Sequence, residues 1–230
     1  MRIGVLFSGG KDSTYAAYVA SRKDTLICLL TLQPQRKDSY MFHFPNIRWT
    51  KLQAEAMGLP QIIFQTEGKK EEELEDMQSA LKSAIADYSI EGVYTGALAS
   101  VYQKSRVERV CEELKLKSIS PFWGIDPRTH LMNLIRDRFT VMVTGVAAMG
   151  LDETWLGRIL DAKMVDELTD LQKKYALHAA LEGGEGETFV LDCPLFEKRI
   201  EVVSSKKYWN DVNGHLEFLG LRLVDKQSQG

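Results

Sequence analysis

The chain has 230 residues, of which 44% are hydrophobic and 27% are charged, and its formal net charge is -3. This length is enough to bury a core without disulfides or a structural metal, so one large domain or two small ones are expected. The nearly balanced charge and the lack of a polybasic run argue against nucleic acid as a direct partner. The three cysteines are scattered, contain no CxxC pair, and predict buried, reduced thiols.

The first residues are a charged side chain and a short apolar run, which differs from the pattern of a signal peptide. No apolar stretch of the sequence is long enough to span a membrane. We therefore expect a cytoplasmic protein with no membrane partner.

The first half alternates short apolar runs with helical patterns, which is typical of a parallel sheet with crossover helices. Five strands are predicted, at 3–7, 25–32, 61–65, 92–96 and 118–122. Helices are predicted from about Ser13, over 47–57, through the repeat of Leu74, Met77, Leu81 and Ile85, and after Ser100. The fold class is therefore α/β, a doubly wound, Rossmann-like parallel sheet whose ligand site lies beyond the carboxyl ends of the strands.

The pattern changes after about Trp123, which suggests a second domain of the α+β class. A strand-like run at 138–148 precedes a helix over 162–178, and the chain beyond Thr188 alternates β-rich runs with turns. We place the boundary between residues 124 and 125, which gives domains 1–124 and 125–230.

The first strand runs directly into the hexapeptide SGGKDS, residues 8–13. Its two glycines allow a sharp turn that brings backbone N–H groups close to an anion, and Lys11, expected to face solvent, adds a full charge. The spacing is neither the Walker GxxxxGK[ST] nor the dinucleotide GxGxxG. The alternative is a simple strand-to-helix turn in which Asp12 or Ser13 caps the helix.

Two further segments carry candidate binding groups. In EGGEGET, residues 182–188, three carboxylates lie among three glycines and can attract a cation or help to hold Mg²⁺, although a solvated acidic turn would look the same. In the segment after Ser100, Arg106 is suited to bidentate contact with a carboxylate or phosphate, or to pairing with a helix glutamate.

Four other side chains have two interpretations each. His43, in the long polar loop at 33–46, contacts the substrate or simply packs there. Trp123 and Trp155 wall an aromatic pocket for a cation or, as we favour, pack in the core. Asp192 joins a site or caps a turn.

The hexapeptide resembles the PP-loop of the N-type ATP pyrophosphatases. The segments EGVYTGALASVYQKSRVERVC, EGGEGETFVLDCPLF, SYMFHFPN and SPFWGIDP closely resemble the diphthine-ammonia ligase family. The resemblance implies an adenine nucleotide alpha hydrolase-like fold, with a PP-loop ATP-binding domain at 1–124 and a substrate-binding domain at 125–230. It also implies a reaction, in which ATP adenylates the carboxylate of diphthine on translation elongation factor 2 and ammonia then displaces AMP.

The resemblance assigns roles to individual residues. The implied ATP contacts are Ser8, Gly9, Gly10, Lys11, Asp12, Ser13 and Gly96. Lys11 and Asp12 are the implied catalytic pair, and Asp12 either holds Mg²⁺ through water or braces the loop. The implied substrate contacts are His43, Tyr102, Gln103, Arg106, Glu182, Glu185, Glu187 and Thr188. A homodimer is left open.

One departure and two alternatives remain at this point. Many relatives carry an aromatic residue where this chain has Gly186, so a more flexible loop is expected here. The alternative functions are a PP-loop ligase for another carboxylic acid and a non-catalytic ATP-binding sensor module.

Overall fold

A computed structural model describes residues 1–34, 46–66 and 72–226 of the chain. The chain divides into two compact units. The first comprises Met1–Ser8 and Asp12–Trp123, and the second comprises Gly9–Lys11 and the chain from Gly124 onward. The middle of the SGGKDS hexapeptide thus groups with the second unit.

The first unit is built on a five-stranded sheet in the order β3-β2-β1-β4-β5, and every neighbouring pair is parallel. The strands are β1 (Arg2–Leu6), β2 (Thr25–Pro34), β3 (Gln61–Thr66), β4 (Gly92–Tyr94) and β5 (Lys117–Ile119). The helices are α1 (Lys11–Lys23), α2 (Thr50–Ala56), preceded by a 3₁₀ turn at Ile47–Trp49, α3 (Glu72–Tyr88) and α4 (Val101–Glu113). The predicted doubly wound α/β fold is confirmed.

The predicted apolar face of α3 packs against the core of the first unit. Met77 and Leu81 are buried in the apolar cluster beside β2 and β4, and Leu74 and Ile85 pack against the same cluster while partly buried. Burial of such a stripe supplies most of the stability of a helix, because helix propensity alone is marginal in water. Most boundaries differ from the prediction by a few residues; for example, α1 begins two residues before Ser13, and β5 is shorter than 118–122.

The second unit contains a four-stranded sheet in the order β7-β6-β9-β8, so β7 lies at one edge. The strands are β6 (Thr140–Val146), β7 (Gly186–Asp192), β8 (Lys198–Trp209) and β9 (Gly214–Asp225), and the recorded pairings are antiparallel. Two helices, α5 (Pro127–Arg136) and α6 (Ala162–Tyr175), and a 3₁₀ turn at Glu153–Trp155 complete the α+β unit.

Helix α5 is absent from the sequence-based prediction, although its signals are in the sequence. Asp126 caps the helix by accepting a 2.8 Å hydrogen bond from the backbone N–H of Thr129, and Pro127 occupies the first helical position. Leu131 and Leu134 form its buried face. The helix is only ten residues long, and its buried residues are two leucines and the polar His130, so its apolar periodicity is a weak signal.

Within the described ranges, no helix combines the length and the apolar character needed to cross a membrane. All three cysteines are buried and free, as the sequence predicts.

Candidate functional site

The hexapeptide forms the turn from β1 into α1. Gly9 has a φ of +79°, a region of backbone conformation that strongly favours glycine. The backbone N–H of Ser8 donates to Oγ of Ser13 at 3.2 Å, and the two hydroxyl oxygens lie 3.2 Å apart. The turn is thus closed by serine side chains, and it leads directly into the positive end of a helix.

Lys11 does not face solvent, contrary to the expectation from the sequence. Its side chain is only 3% exposed. A charge held away from bulk water is screened less than one on a side chain that extends into solvent.

The middle of the hexapeptide lies along the free edge of β7. The backbone N–H of Val190 donates to the carbonyl oxygen of Gly9 at 3.1 Å, and the backbone N–H of Lys11 donates to Oγ1 of Thr188 at 3.1 Å. Both hydrogen bonds lie within the second unit. The structure therefore brings together two predicted segments that are 177 residues apart in sequence.

Gly96 follows β4, which lies next to β1 in the centre of the sheet. A Cβ at this position would lie 2.6 Å from the carbonyl carbon of Asp12 and 2.7 Å from the backbone nitrogen of Ser13. Only a residue without a side chain allows the chain after β4 to approach the first turn of α1 so closely. Gly96 is therefore placed beside the hexapeptide, as predicted.

The segment after Ser100 forms the first turns of α4. Oγ of Ser100 accepts a 3.3 Å hydrogen bond from the backbone N–H of Gln103 and caps the helix. The guanidinium of Arg106 lies 4.0 Å from the ring centre of Tyr102, whose side chain is 51% exposed. This pair presents an aromatic and a cationic group together at the helix surface.

The two tryptophans have different environments. Trp155 is buried and carries Arg158 at 4.4 Å over its ring, which agrees with core packing. Trp123 is 39% exposed and carries Lys104 at 4.9 Å over its ring, so its assignment to the core is wrong. In both cases a cation of this chain occupies a face of the ring.

The acidic turn uses one glutamate to hold its own shape. Oε1 of Glu185 accepts a 2.9 Å hydrogen bond from the backbone N–H of His178, and a Cβ at Gly183 would lie 2.7 Å from the same oxygen. His178 was not predicted, since a single histidine with no motif gives no signal in the sequence. Gly186 directly follows the turn as the first residue of β7, where it pairs with Val146.

Glu187 has a different environment from Glu185. It lies opposite Gly145 in the β6–β7 pair, and a Cβ at that glycine would lie 3.0–3.4 Å from carbons of its side chain. Burial raises the pKa of the Glu187 carboxyl to about 8. This carboxyl makes no ion pair with any described residue, so no nearby cation counteracts the effect of burial.

The remaining predicted positions are placed as follows. Asp192 ends β7 and pairs with Lys226 at 2.8 Å, and Glu182 is half-buried at the start of the acidic turn. His43 lies outside the described residues.

Comparison with known families gives a match over both halves of the chain. Residues 1–118 match the diphthamide synthase N-terminal domain, and residues 126–224 match the diphthamide synthase C-terminal domain. The chain belongs to the diphthamide synthase family. Members of curated function are similar to it over nearly its full length.

Three such relatives, each named diphthine–ammonia ligase, show the range of similarity. The human protein is 36% identical over 99% of this chain and 94% of its own length. The zebrafish (Danio rerio) protein is 36% identical over 98% of both. The Saccharomyces cerevisiae protein is 32% identical over 86% of this chain and 34% of its own length.

A solved structure titled as a predicted subunit of tRNA methyltransferase from Methanocaldococcus jannaschii aligns with a TM-score of 0.45 at 19% identity, covering 84% of this chain and 98% of that one.

The hexapeptide of this family member has the features of a phosphate-binding turn. It combines a glycine at positive φ, a helix N-terminus and a close approach that requires Gly96. Among the described residues, no group of three or more His, Cys, Asp and Glu side chains is arranged to hold a metal. A single carboxylate such as that of Asp12 still fits Mg²⁺, which is usually held by one or two carboxylates together with substrate phosphates.

Proposed function

We propose that this protein is a diphthine-ammonia ligase, which uses ATP to amidate diphthine on translation elongation factor 2. The family membership over both halves of the chain supports this function. The observation that carries it is the pair of hydrogen bonds that join the phosphate-binding turn to the strand following the acidic turn. The middle of the turn, Gly9–Lys11, and β7 are thereby adjoining segments of the second unit.

The reaction has two steps. A carboxylate oxygen of diphthine attacks the α-phosphorus of ATP, the bond between that phosphorus and the bridging oxygen breaks, and pyrophosphate leaves. Ammonia then attacks the carbonyl carbon of the acyl adenylate, the bond to AMP breaks, and the nitrogen loses a proton. Positioning and electrostatics account for the rate of such steps, and no covalent enzyme nucleophile is required.

The turn holds the leaving group. Ser8, Gly9, Gly10, Lys11 and Ser13 bind the pyrophosphate, and Gly96 shapes the wall beside them. Lys11 compensates the charge that develops as the α–β bridge breaks. Asp12 would hold Mg²⁺, directly or through water, and the ion would supply further charge compensation.

The substrate side is made of two groups of residues. Tyr102, Gln103 and Arg106 on α4 approach the diphthine carboxylate, and His43 contributes from its loop. Glu182 attracts the fixed trimethylammonium or the incoming ammonium, while Glu185 keeps the acidic turn in shape. A cation bound beside Glu187 would lower the raised pKa of its carboxyl and so favour the charged form. In this proposal residues 125–230 form the substrate-binding domain, which carries the glutamates. Residues 1–124 form the ATP-binding domain and also contribute the α4 side chains and His43 to the substrate side.

The setting of the reaction follows from its substrates. The modified elongation factor is the protein partner, free ammonia is the nitrogen donor, and the cytoplasm is the compartment. A homodimer is compatible with this assignment.

The test incubates the purified protein with ATP, Mg²⁺, ammonium and diphthine-bearing elongation factor 2. We expect one amide per factor by mass spectrometry, with AMP and pyrophosphate as products. Formation of ADP would contradict attack at the α-phosphorus. An amide on another carboxylic acid, or ATP binding without turnover, would reassign the protein to a different ligase or to a sensor.

Lys11→Met tests the role of the buried cation. Methionine keeps most of the side-chain volume and removes the charge, so the fold is retained while AMP formation falls by about 10²- to 10³-fold. An alanine at this position would also leave a cavity, since Lys11 is buried. Lys51→Met, at an exposed position of α2, is the matched control and should keep full activity. Full activity in Lys11→Met would show that the turn has another role.

A further inference from the structure

Thr188 connects the phosphate-binding turn to β7 through its side chain. Its hydroxyl oxygen accepts the backbone N–H of Lys11 at 3.1 Å, while the carbonyl oxygen of Gly9 accepts the N–H of Val190, two residues along the strand. The two contacts leave Thr188 half-buried beside the turn. An edge strand has backbone N–H and C=O groups that no neighbouring strand uses, and here β7 uses one of them to hold the middle of the hexapeptide.

The hydroxyl of Thr188 can still donate one hydrogen bond. A threonine hydroxyl has one proton to donate and two lone pairs that accept. The N–H of Lys11 takes one lone pair, and no described residue accepts the proton. The hydrogen bond that this hydroxyl accepts from Lys11 polarises its O–H group, which makes the hydroxyl a better donor.

The position of this donor selects its acceptor. It lies one hydrogen bond from the backbone of Lys11, in the turn that we assign to the leaving pyrophosphate. A phosphate oxygen is an acceptor and carries the charge that a polarised donor favours. The trimethylammonium of diphthine has no lone pair and cannot accept a hydrogen bond, so the hydroxyl proton cannot bind it.

We propose that Thr188 binds the leaving pyrophosphate through its hydroxyl proton, and so belongs to the nucleotide side of the site and not to the diphthine side. The proposal rests on the function proposed above, because it needs the turn to bind phosphate. In this proposal β7, the strand that follows the acidic turn, is part of the phosphate-binding surface and contacts the leaving group directly.

The test compares Thr188→Val, which keeps the shape of the side chain without the hydroxyl, with Thr188→Ser, which keeps the hydroxyl. Binding of inorganic pyrophosphate to the full-length protein is measured by calorimetry, and the KM values for ATP and for the modified factor are measured separately. We expect Thr188→Val to weaken pyrophosphate binding and raise the KM for ATP by about 10- to 100-fold, the range for a hydrogen bond to a charged group. The KM for the modified factor stays unchanged, and serine restores wild-type values.

One control separates this proposal from a general effect of losing a hydroxyl, and the binding measurement separates it from the proposed function. Thr169→Val removes a hydroxyl that bonds to the carbonyl of Val165 within α6, and should leave pyrophosphate binding unchanged. Thr188→Ala repeats the test if the valine variant does not fold. Pyrophosphate binding that is lost in Thr188→Val and restored in Thr188→Ser supports the proposal even if no diphthamide forms, in which case only the proposed function fails.

Three results would overturn the proposal. They are wild-type protein that does not bind pyrophosphate, valine and serine variants with equal defects, and a valine variant whose only change is in the KM for the modified factor.

Discussion

Two neighbouring residues of β7 illustrate how position decides the role of a side chain. Glu187 lies against Gly145 with a raised pKa, and Thr188 accepts the backbone N–H of Lys11. Successive side chains of a strand point to opposite faces, so these two groups act in different environments although they are adjacent in sequence. The motif EGGEGET therefore combines groups with separate tasks.

The pKa of Glu187 predicts a pH-dependent contribution to stability. Its folded-state value of about 8 lies above the ordinary value of 4.5, so between these two pH values the folded chain binds more protons than the unfolded chain. The stabilisation that the Glu187 carboxyl contributes is fully present below the unfolded-state pKa of 4.5. It is lost as the pH rises through the folded-state pKa of about 8. Glu187→Gln should therefore gain free energy of unfolding, relative to wild type, as the pH rises across this range.

Denaturant unfolding of both proteins at a series of pH values measures this difference. Glu197→Gln, at an exposed position of the same unit, is the control and should run parallel to wild type. A difference for Glu187→Gln that does not change with pH would show that the carboxyl titrates normally.

At the scale of elements, the site depends on a close approach between two segments of the first unit. The chain after β4 passes the first turn of α1 at Gly96, where a Cβ would lie within 2.6–2.8 Å of the backbone of Asp12 and Ser13. Adjacent central strands bring these connections together, as expected at the switch point of a doubly wound sheet. The shape of the turn thus depends on a residue more than 80 positions away.

Gly96→Ala tests this dependence. The added methyl group meets backbone atoms, which cannot rotate away, so we expect a loss of about 1–3 kcal/mol in stability and a clear loss of ATP binding. Gly220→Ala is the control, because its nearest neighbours are side-chain atoms at 3.2–3.9 Å that can adjust. Thermal unfolding and nucleotide titration measure the two effects, and unchanged ATP binding would show that the turn tolerates a displaced neighbour.

At the scale of the whole molecule, the three buried thiols are divided between the two units. Cys28 and Cys111 belong to the apolar cluster of the first unit, and Cys193 follows β7 in the second. Burial raises the pKa of Cys28 and Cys111 to about 11 and that of Cys193 to about 12. Thiols with such values are almost entirely protonated at neutral pH and react slowly.

A thiol reagent should therefore label the native protein hardly at all, and should label three thiols per chain after unfolding. Mass spectrometry of peptides labelled at rising denaturant concentration assigns each reaction to a unit. Rapid labelling of any one cysteine under native conditions would contradict the burial of that residue.

Much of the fold could be predicted from local patterns. The α3 stripe of Met77 and Leu81 and the near-continuous apolar run of β2 are consequences of periodicity, which sequence records directly. The short helix α5 was missed because a single pair of buried leucines is a weak periodic signal. The burial of Lys11 was missed for a different reason, since the packing around it is not a local property.

The sequence by itself determined the doubly wound class, the position of the glycine-rich turn and the resemblance to a ligase family, because glycine spacing and hydrophobic periodicity are local. Only the tertiary structure decided that Thr188 bonds to Lys11, that Glu185 braces its own turn and that Glu187 titrates near pH 8. Hydrogen-bond partners and burial depend on which distant segments meet, and for the turn and β7 those segments are 177 residues apart.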